Sequence, residues 1–123
     1  MALGEEAMAV VHGPPTILVV EDDVDTRNAL CEYLGYEGFD VAVARTGAEA
    51  IRLLDITSPC AMLIDLTMPG ITGEQLVAYL RGLDRLAGVP VAIVSAWPEY
   101  APPGFRVFPK PFDVEALIDF CKG

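Results

Sequence analysis

The chain has 123 residues, enough for one domain, and 53% of them are apolar against 21% charged, a globular composition that excludes intrinsic disorder. A net charge of −10 would repel nucleic-acid phosphates and an anionic membrane face, so neither is an expected partner. No run reaches the ~18 apolar residues that a membrane helix needs, and Glu5 and Glu6 stand where a signal peptide would be basic.

Residues 1–15 read as a flexible leader ending in His12, Gly13, Pro14 and Pro15, a sequence that neither a helix nor an inner strand tolerates. His12 is the only histidine, so histidine-based triads and His-rich metal sites are excluded. Without Glu5 and Glu6 the body, residues 16–123, still carries −8, so the acidity belongs to the fold. Ile17–Val20 is a short apolar run that ends in acid, as a buried parallel strand does. A helix is predicted from about Val24 to Leu34, with Asp22 or Asp23 near its N-cap and Leu30, Tyr33 and Leu34 on one face. Phe39–Val43 alternates as a strand. Thr46 and Glu49 form a capping box that opens a helix to about Ile56.

Cys60–Ile64 is the next buried strand, ending at Asp65. Thr72 and Gln75 form a second capping box, followed by Leu76, Tyr79, Leu80 and Leu83 at helical spacing. Pro90–Val94 and Phe105–Phe108 are predicted as the fourth and fifth strands, and a last helix opens at Asp113 and reaches about Phe120. Cys31, Cys60 and Cys121 have no metal-ligand or disulfide spacing, and read as buried or half-buried thiols of a reducing cytoplasm. Strand and helix alternate throughout, the pattern of an α/β fold with a doubly wound parallel sheet.

Ligands of such sheets bind at the carboxyl ends of the strands, and the polar residues fall there. Glu21, Asp22 and Asp23 follow the first strand, Asp65 ends the third, Ser95 ends the fourth, and Lys110 follows the fifth between two prolines. Carboxylates this close repel, and protonation or a bound cation must relieve them. A hard divalent ion with oxygen ligands, most simply Mg²⁺, fits. With Ser95 and Lys110 the group makes a site for a tetrahedral anion, with Asp65 as the candidate nucleophile toward phosphorus and Glu21 and Asp22 as metal ligands.

The stretches Ile17–Asp23, Leu63–Gly73, Val91–Ala96 and Pro109–Phe112, in this order over about residues 16–121, resemble the receiver domains of two-component response regulators. That resemblance implies a flavodoxin-like sheet of five strands in the order 2-1-3-4-5. It also implies phosphorylation of Asp65 by a phosphohistidine on a sensor histidine kinase or histidine phosphotransfer protein. Mg²⁺ would be held by Glu21, Asp22, Asp65 and the main-chain carbonyl of Thr67, with Ser95 and Lys110 contacting the phosphoryl group. The unit would be residues 16–123, a stand-alone receiver or one cut from a longer chain, acting in the cytoplasm on a downstream protein.

Three departures from the pattern stand out. Only 14 residues separate Ser95 from Lys110, and Pro98, Pro102, Pro103 and Gly104 lie among them. The family's fourth helix, between the fourth and fifth strands, is therefore predicted to be missing or reduced to a turn. Val107 stands where an aromatic switch residue is usual. Trp97, two residues after Ser95, is expected to shield the phosphoryl group from water. The alternatives are a Mg²⁺-dependent phosphatase with an aspartate nucleophile and a pseudo-receiver that binds partners without phosphorylation. The first wants an acid two residues after the nucleophile, where Thr67 stands.

Overall fold

A computed structural model describes residues 14–65 and 73–123. Five parallel strands form one sheet: β1 (Thr16–Val20), β2 (Asp40–Ala44), β3 (Ala61–Asp65), β4 (Val91–Ser95) and β5 (Arg106–Pro109), in the order β2-β1-β3-β4-β5. Among the described residues four α-helices connect or follow them: α1 (Val24–Tyr36), α2 (Gly47–Leu54), α3 (Gly73–Arg81) and α4 (Val114–Lys122). This is the flavodoxin-like arrangement that the resemblance implied. Among the described residues no helix is long and apolar enough to cross a membrane.

The inner strands read as unbroken apolar runs because both faces of the sheet are covered. Side chains alternate between the faces. Leu18, Val20, Met62, Ile64 and Ile93 join one core, with Ala50 and Leu54 of α2 and Leu76 and Leu80 of α3. Ile17, Val19, Leu63, Ala92 and Val94 join the other, with Leu30 and Leu34 of α1 and Leu117 and Cys121 of α4. β3 lies in the middle of the sheet and is buried along its whole length.

Several element ends differ from those predicted. α1 runs two residues further, to Tyr36, and Tyr33 is 41% exposed rather than on the packed face with Leu30 and Leu34. α2 stops at Leu54, because Asp55 and Ile56 donate to carbonyls three residues back and leave Ile56 80% exposed. β2 starts at Asp40, whose N–H bonds the Pro15 carbonyl at 2.9 Å, rather than at Phe39. Leu83 lies beyond α3, before the 3₁₀ turn Asp84–Leu86. α4 extends past Phe120 to Lys122. Cys121 is buried and Cys31 half-buried, but Cys60 is exposed, against expectation, at the surface turn before β3. Thr72 of the second capping box lies outside the described residues.

The connection from β4 to β5 holds no α-helix. Its only regular piece is the 3₁₀ turn Pro98–Tyr100, closed by the Ala101 N–H on the Pro98 carbonyl at 3.1 Å. Gly104 then takes φ +90, a left-handed conformation suited to glycine, and turns the chain into β5.

The first capping box forms, with a shift. Thr46 Oγ1 accepts from Glu49 N at 3.1 Å, while the Glu49 carboxylate accepts at 2.6 Å from Arg45 N, one residue before the cap. Thr46→Ala is expected to lower stability by about 1 kcal/mol in urea or thermal unfolding, with Thr46→Ser close to wild type. Equal stability of Thr46→Ala and wild type would show that the cap contributes nothing.

Candidate functional site

Parallel strands end on the same side, and their register determines which ends meet. Val20 pairs with Ile64, so Glu21, one residue further, comes beside Asp65. Asp65 pairs with Val94, and Ser95 with Pro109, so Ser95 and Lys110 complete the row. The Glu21 N–H bonds the Ala44 carbonyl at 2.9 Å, which extends the ladder one residue beyond β1. The Lys110 N–H bonds the Ser95 carbonyl at 2.8 Å and does the same beyond β5. Glu21, Asp65, Ser95 and Lys110 are thus held by sheet backbone, and Asp22 follows in the loop.

Glu21, Asp65 and Ser95 are the three buried polar or charged residues among those described, at 1%, 2% and 1% exposure, while Asp22 is exposed. One carboxylate oxygen from each of Glu21, Asp22 and Asp65 lies within 4.8 Å of the other two. Lys110 Nζ bridges the two buried acids, 2.8 Å from Glu21 Oε1 and 3.2 Å from Asp65 Oδ2. One ammonium thus faces two buried carboxylates and leaves negative charge over. Burial, then the hydrogen bond to Asp65, raises the Glu21 carboxyl to about 8, although Lys110 opposes the rise. Burial disfavours the Lys110 ammonium, yet the hydrogen bond to Glu21 and the charges of Asp65 and Glu21 outweigh it and raise its pKa.

The loop after β1 is fixed from both sides. Asp23 caps α1, with its Oδ2 accepting from Thr26 N at 2.9 Å and from Thr26 Oγ1 at 2.7 Å. Those bonds from Thr26 hold the Asp23 carboxyl below its usual range. Asp23 therefore faces its helix, while Glu21 and Asp22 belong to the acidic cluster. Arg27 Nη1 reaches the carbonyls of Glu21 and Asp22, both at 3.4 Å.

The structure brings together Glu21, Asp22, Asp65 and Lys110, with Ser95 on the neighbouring strand end. Thr67 lies outside the described residues. Two features escaped the sequence reading. One is the Arg27 brace, which has no sequence signature. The other is a hydrogen bond from Trp97 N to Ser95 Oγ at 2.9 Å, a turn in which the serine hydroxyl accepts from the second residue on. It occupies an acceptor position of the hydroxyl and leaves its proton free to be donated. The signal was present as Ser95 followed two residues later by Trp97 and then Pro98. Trp97 itself is 58% exposed.

An all-oxygen set of three carboxylates suits a hard divalent cation, and the exposed Asp22 leaves room for water in its shell. A buried carboxylate, an ammonium and a hydroxyl at adjoining strand tips also suit a tetrahedral oxyanion.

Comparison with known proteins agrees with this geometry. The family model described as "Response regulator receiver domain" matches residues 17–121. The transcriptional regulatory protein PrrA of Mycobacterium leprae is 42% identical over 82 residues, which is 67% of this chain and 34% of PrrA. The chain thus spans about a third of that relative's length. The receiver domain of a signal transduction histidine kinase from Syntrophus aciditrophicus superposes with a TM-score of 0.78 at 27% identity, covering 88% of this chain and 87% of that one. A response regulator receiver protein from Pseudomonas putida gives 0.77 at 28% identity, covering 91% and 98%. With five parallel strands in the same order and a family match over nearly its whole body, the chain belongs to the receiver domains of two-component response regulators.

Proposed function

We propose that Asp65 is a phosphoacceptor that takes its phosphoryl group from a phosphohistidine of a sensor histidine kinase or histidine phosphotransfer protein. The modified chain then changes its affinity for a downstream protein. The observation that carries this reading is the buried Asp65 at the tip of the central strand, bridged by Lys110 to Glu21. In the transfer a carboxylate oxygen of Asp65 bonds phosphorus as the histidine N–P bond breaks, and its electron pair returns to the imidazole. Lys110, with its Nζ 3.2 Å from Asp65 Oδ2, is placed to follow the phosphoryl oxygens. Ser95, with its acceptor position taken by Trp97 N, donates its proton to one of them. No separate substrate is turned over; the chemistry is self-phosphorylation and self-dephosphorylation. The exposed acids and the thiols suit a cytoplasmic setting.

Glu21, Asp22 and Asp65, with the main-chain carbonyl of Thr67, would hold Mg²⁺, which when bound supplies positive charge beside the phosphoryl oxygens. The grouping supports this fit: one oxygen from each of the three carboxylates lies within 4.8 Å of the other two, and a divalent cation offsets the repulsion of such a group.

Incubation with Mg²⁺ and a small phosphodonor, read by intact mass, is expected to add one phosphoryl group to the wild type and none to Asp65→Asn. An unmodified wild type would favour the pseudo-receiver. Turnover of generic phosphate esters would favour the phosphatase.

Stability should depend on pH through Glu21. Its carboxyl titrates near 8 in the folded chain against 4.5 for an ordinary glutamate. Between those values the folded form holds a proton that the unfolded form lacks, so this group's contribution falls as pH rises. In metal-free buffer Glu21→Gln is expected to melt higher than wild type at pH 8 and to show a flatter profile from pH 5 to 8. Saturating Mg²⁺ should raise the melting temperature of the wild type more than that of the variant. Parallel profiles would contradict the assignment.

Trp97 shields the phosphoryl group from water. Trp97→Ala is expected to shorten the phosphoryl lifetime about tenfold, about 1.4 kcal/mol in barrier. An unchanged lifetime would remove this role.

A further inference from the structure

At the other end of the sheet from Asp65, the short β4–β5 connection leaves a cavity of about 400 Å³. It lies at the amino ends of β3 and β4, lined by Met62, Val91, Leu80, Leu86, Phe105 and Arg81. A crossover helix between β4 and β5 would lie across this face of the sheet. Here the chain crosses in ten residues, 96–105, with one 3₁₀ turn, and Val91, Phe105 and Val107 stay only partly buried against the core.

Arg81 gives the cavity its chemistry. Its guanidinium lies over the Phe105 ring, 4.5 Å from the centroid. Gly104, in its left-handed turn, places Phe105 there, and a Cβ on Gly104 would meet Arg81 Nη2 at 3.9 Å. Among the described residues no carboxylate pairs with Arg81 and none accepts a hydrogen bond from it. A guanidinium has five N–H donors in a planar fork that matches a carboxylate. In a chain of net charge −10, an arginine with no carboxylate partner among the described residues, at the mouth of an apolar cavity, is conspicuous.

We propose that this cavity binds a small amphiphilic carboxylate, an aryl or medium-chain alkyl acid, with the apolar part against Met62, Leu86 and Val91 and the carboxylate on Arg81. The volume accommodates a ligand of roughly 10–20 non-hydrogen atoms, within the usual range of small-molecule sites. A second copy of this strongly acidic chain is the weaker candidate, because the two bodies would repel. The inference is independent of phosphorylation at Asp65, which lies at the opposite ends of the strands.

Octanoate and 1-octanol, titrated into the ¹⁵N-labelled 123-residue chain and followed by amide shifts, test the proposal. Octanoate is expected to saturate with shifts centred on Met62, Val91, Gly104 and Phe105, and to bind about tenfold more tightly than octanol. Arg81→Gln should remove that preference and leave octanol binding unchanged. Val89→Phe, at the cavity wall, should weaken both ligands while Arg81 stays in place. Equal binding of octanoate and octanol would overturn the proposal, as would shifts scattered over the surface or the absence of saturation. Shifts of the same amides with protein concentration alone would assign the face to a second copy. Binding of an acidic amphipathic peptide without binding of octanoate would assign it to a protein partner. Either result also overturns the proposal.

Discussion

Two carboxylates buried side by side at the tips of neighbouring strands form the interaction on which the rest of this molecule depends. Isolated, such a pair would be expelled or protonated. Here Lys110 bridges Glu21 and Asp65 and compensates part of the charge. Burial, then the hydrogen bond to Asp65, still raises the Glu21 carboxyl. A site built this way sets three acids, an ammonium and a hydroxyl at adjoining strand tips. The rigidity comes from the sheet, since Glu21 and Lys110 each continue the backbone ladder one residue beyond their strands.

The second constraint is the short return from β4 to β5. It carries one 3₁₀ turn in place of an α-helix and sets the Trp97 N–H on the Ser95 hydroxyl. Ser95 ties together two segments, with its carbonyl on Lys110 and its hydroxyl on Trp97. Val107 offers no aromatic ring for signalling at β5. The same shortening leaves the cavity beside Arg81. One short connection thus bears on both ends of the sheet.

Much of the architecture was legible in the residues. The β1, β3 and β4 runs are unbroken apolar stretches bounded by acid, hydroxyl or proline, and a run that is apolar on both faces belongs inside a covered sheet. Thr46, Asp113 and the pair Asp22 and Asp23 announced three helix starts, and Thr46, Asp113 and Asp23 cap them. The prolines at 98, 102 and 103 excluded a helix there. Helix ends were less legible. α2 stops short of Ile56 and α1 outlasts Leu34, because a helix ends where packing and local turns favour it, which no single residue specifies. Cys60 and Tyr33 were misplaced for a related reason, since apolar character does not determine which face of an element meets the core.

The sequence by itself determined the chemical inventory of the site: which residues end each strand and that their side chains are acids, a hydroxyl and an ammonium. These follow from local pattern, since side-chain period and strand length are properties of the chain. Only the tertiary structure decided that Lys110 lies nearer Glu21 than Asp65, that Asp23 turns to its helix while Asp22 stays in the cluster, and that Trp97 N occupies Ser95 Oγ. These distances depend on inter-strand register and on loop conformation, which are set by contacts between residues as far apart in the chain as Glu21 and Lys110.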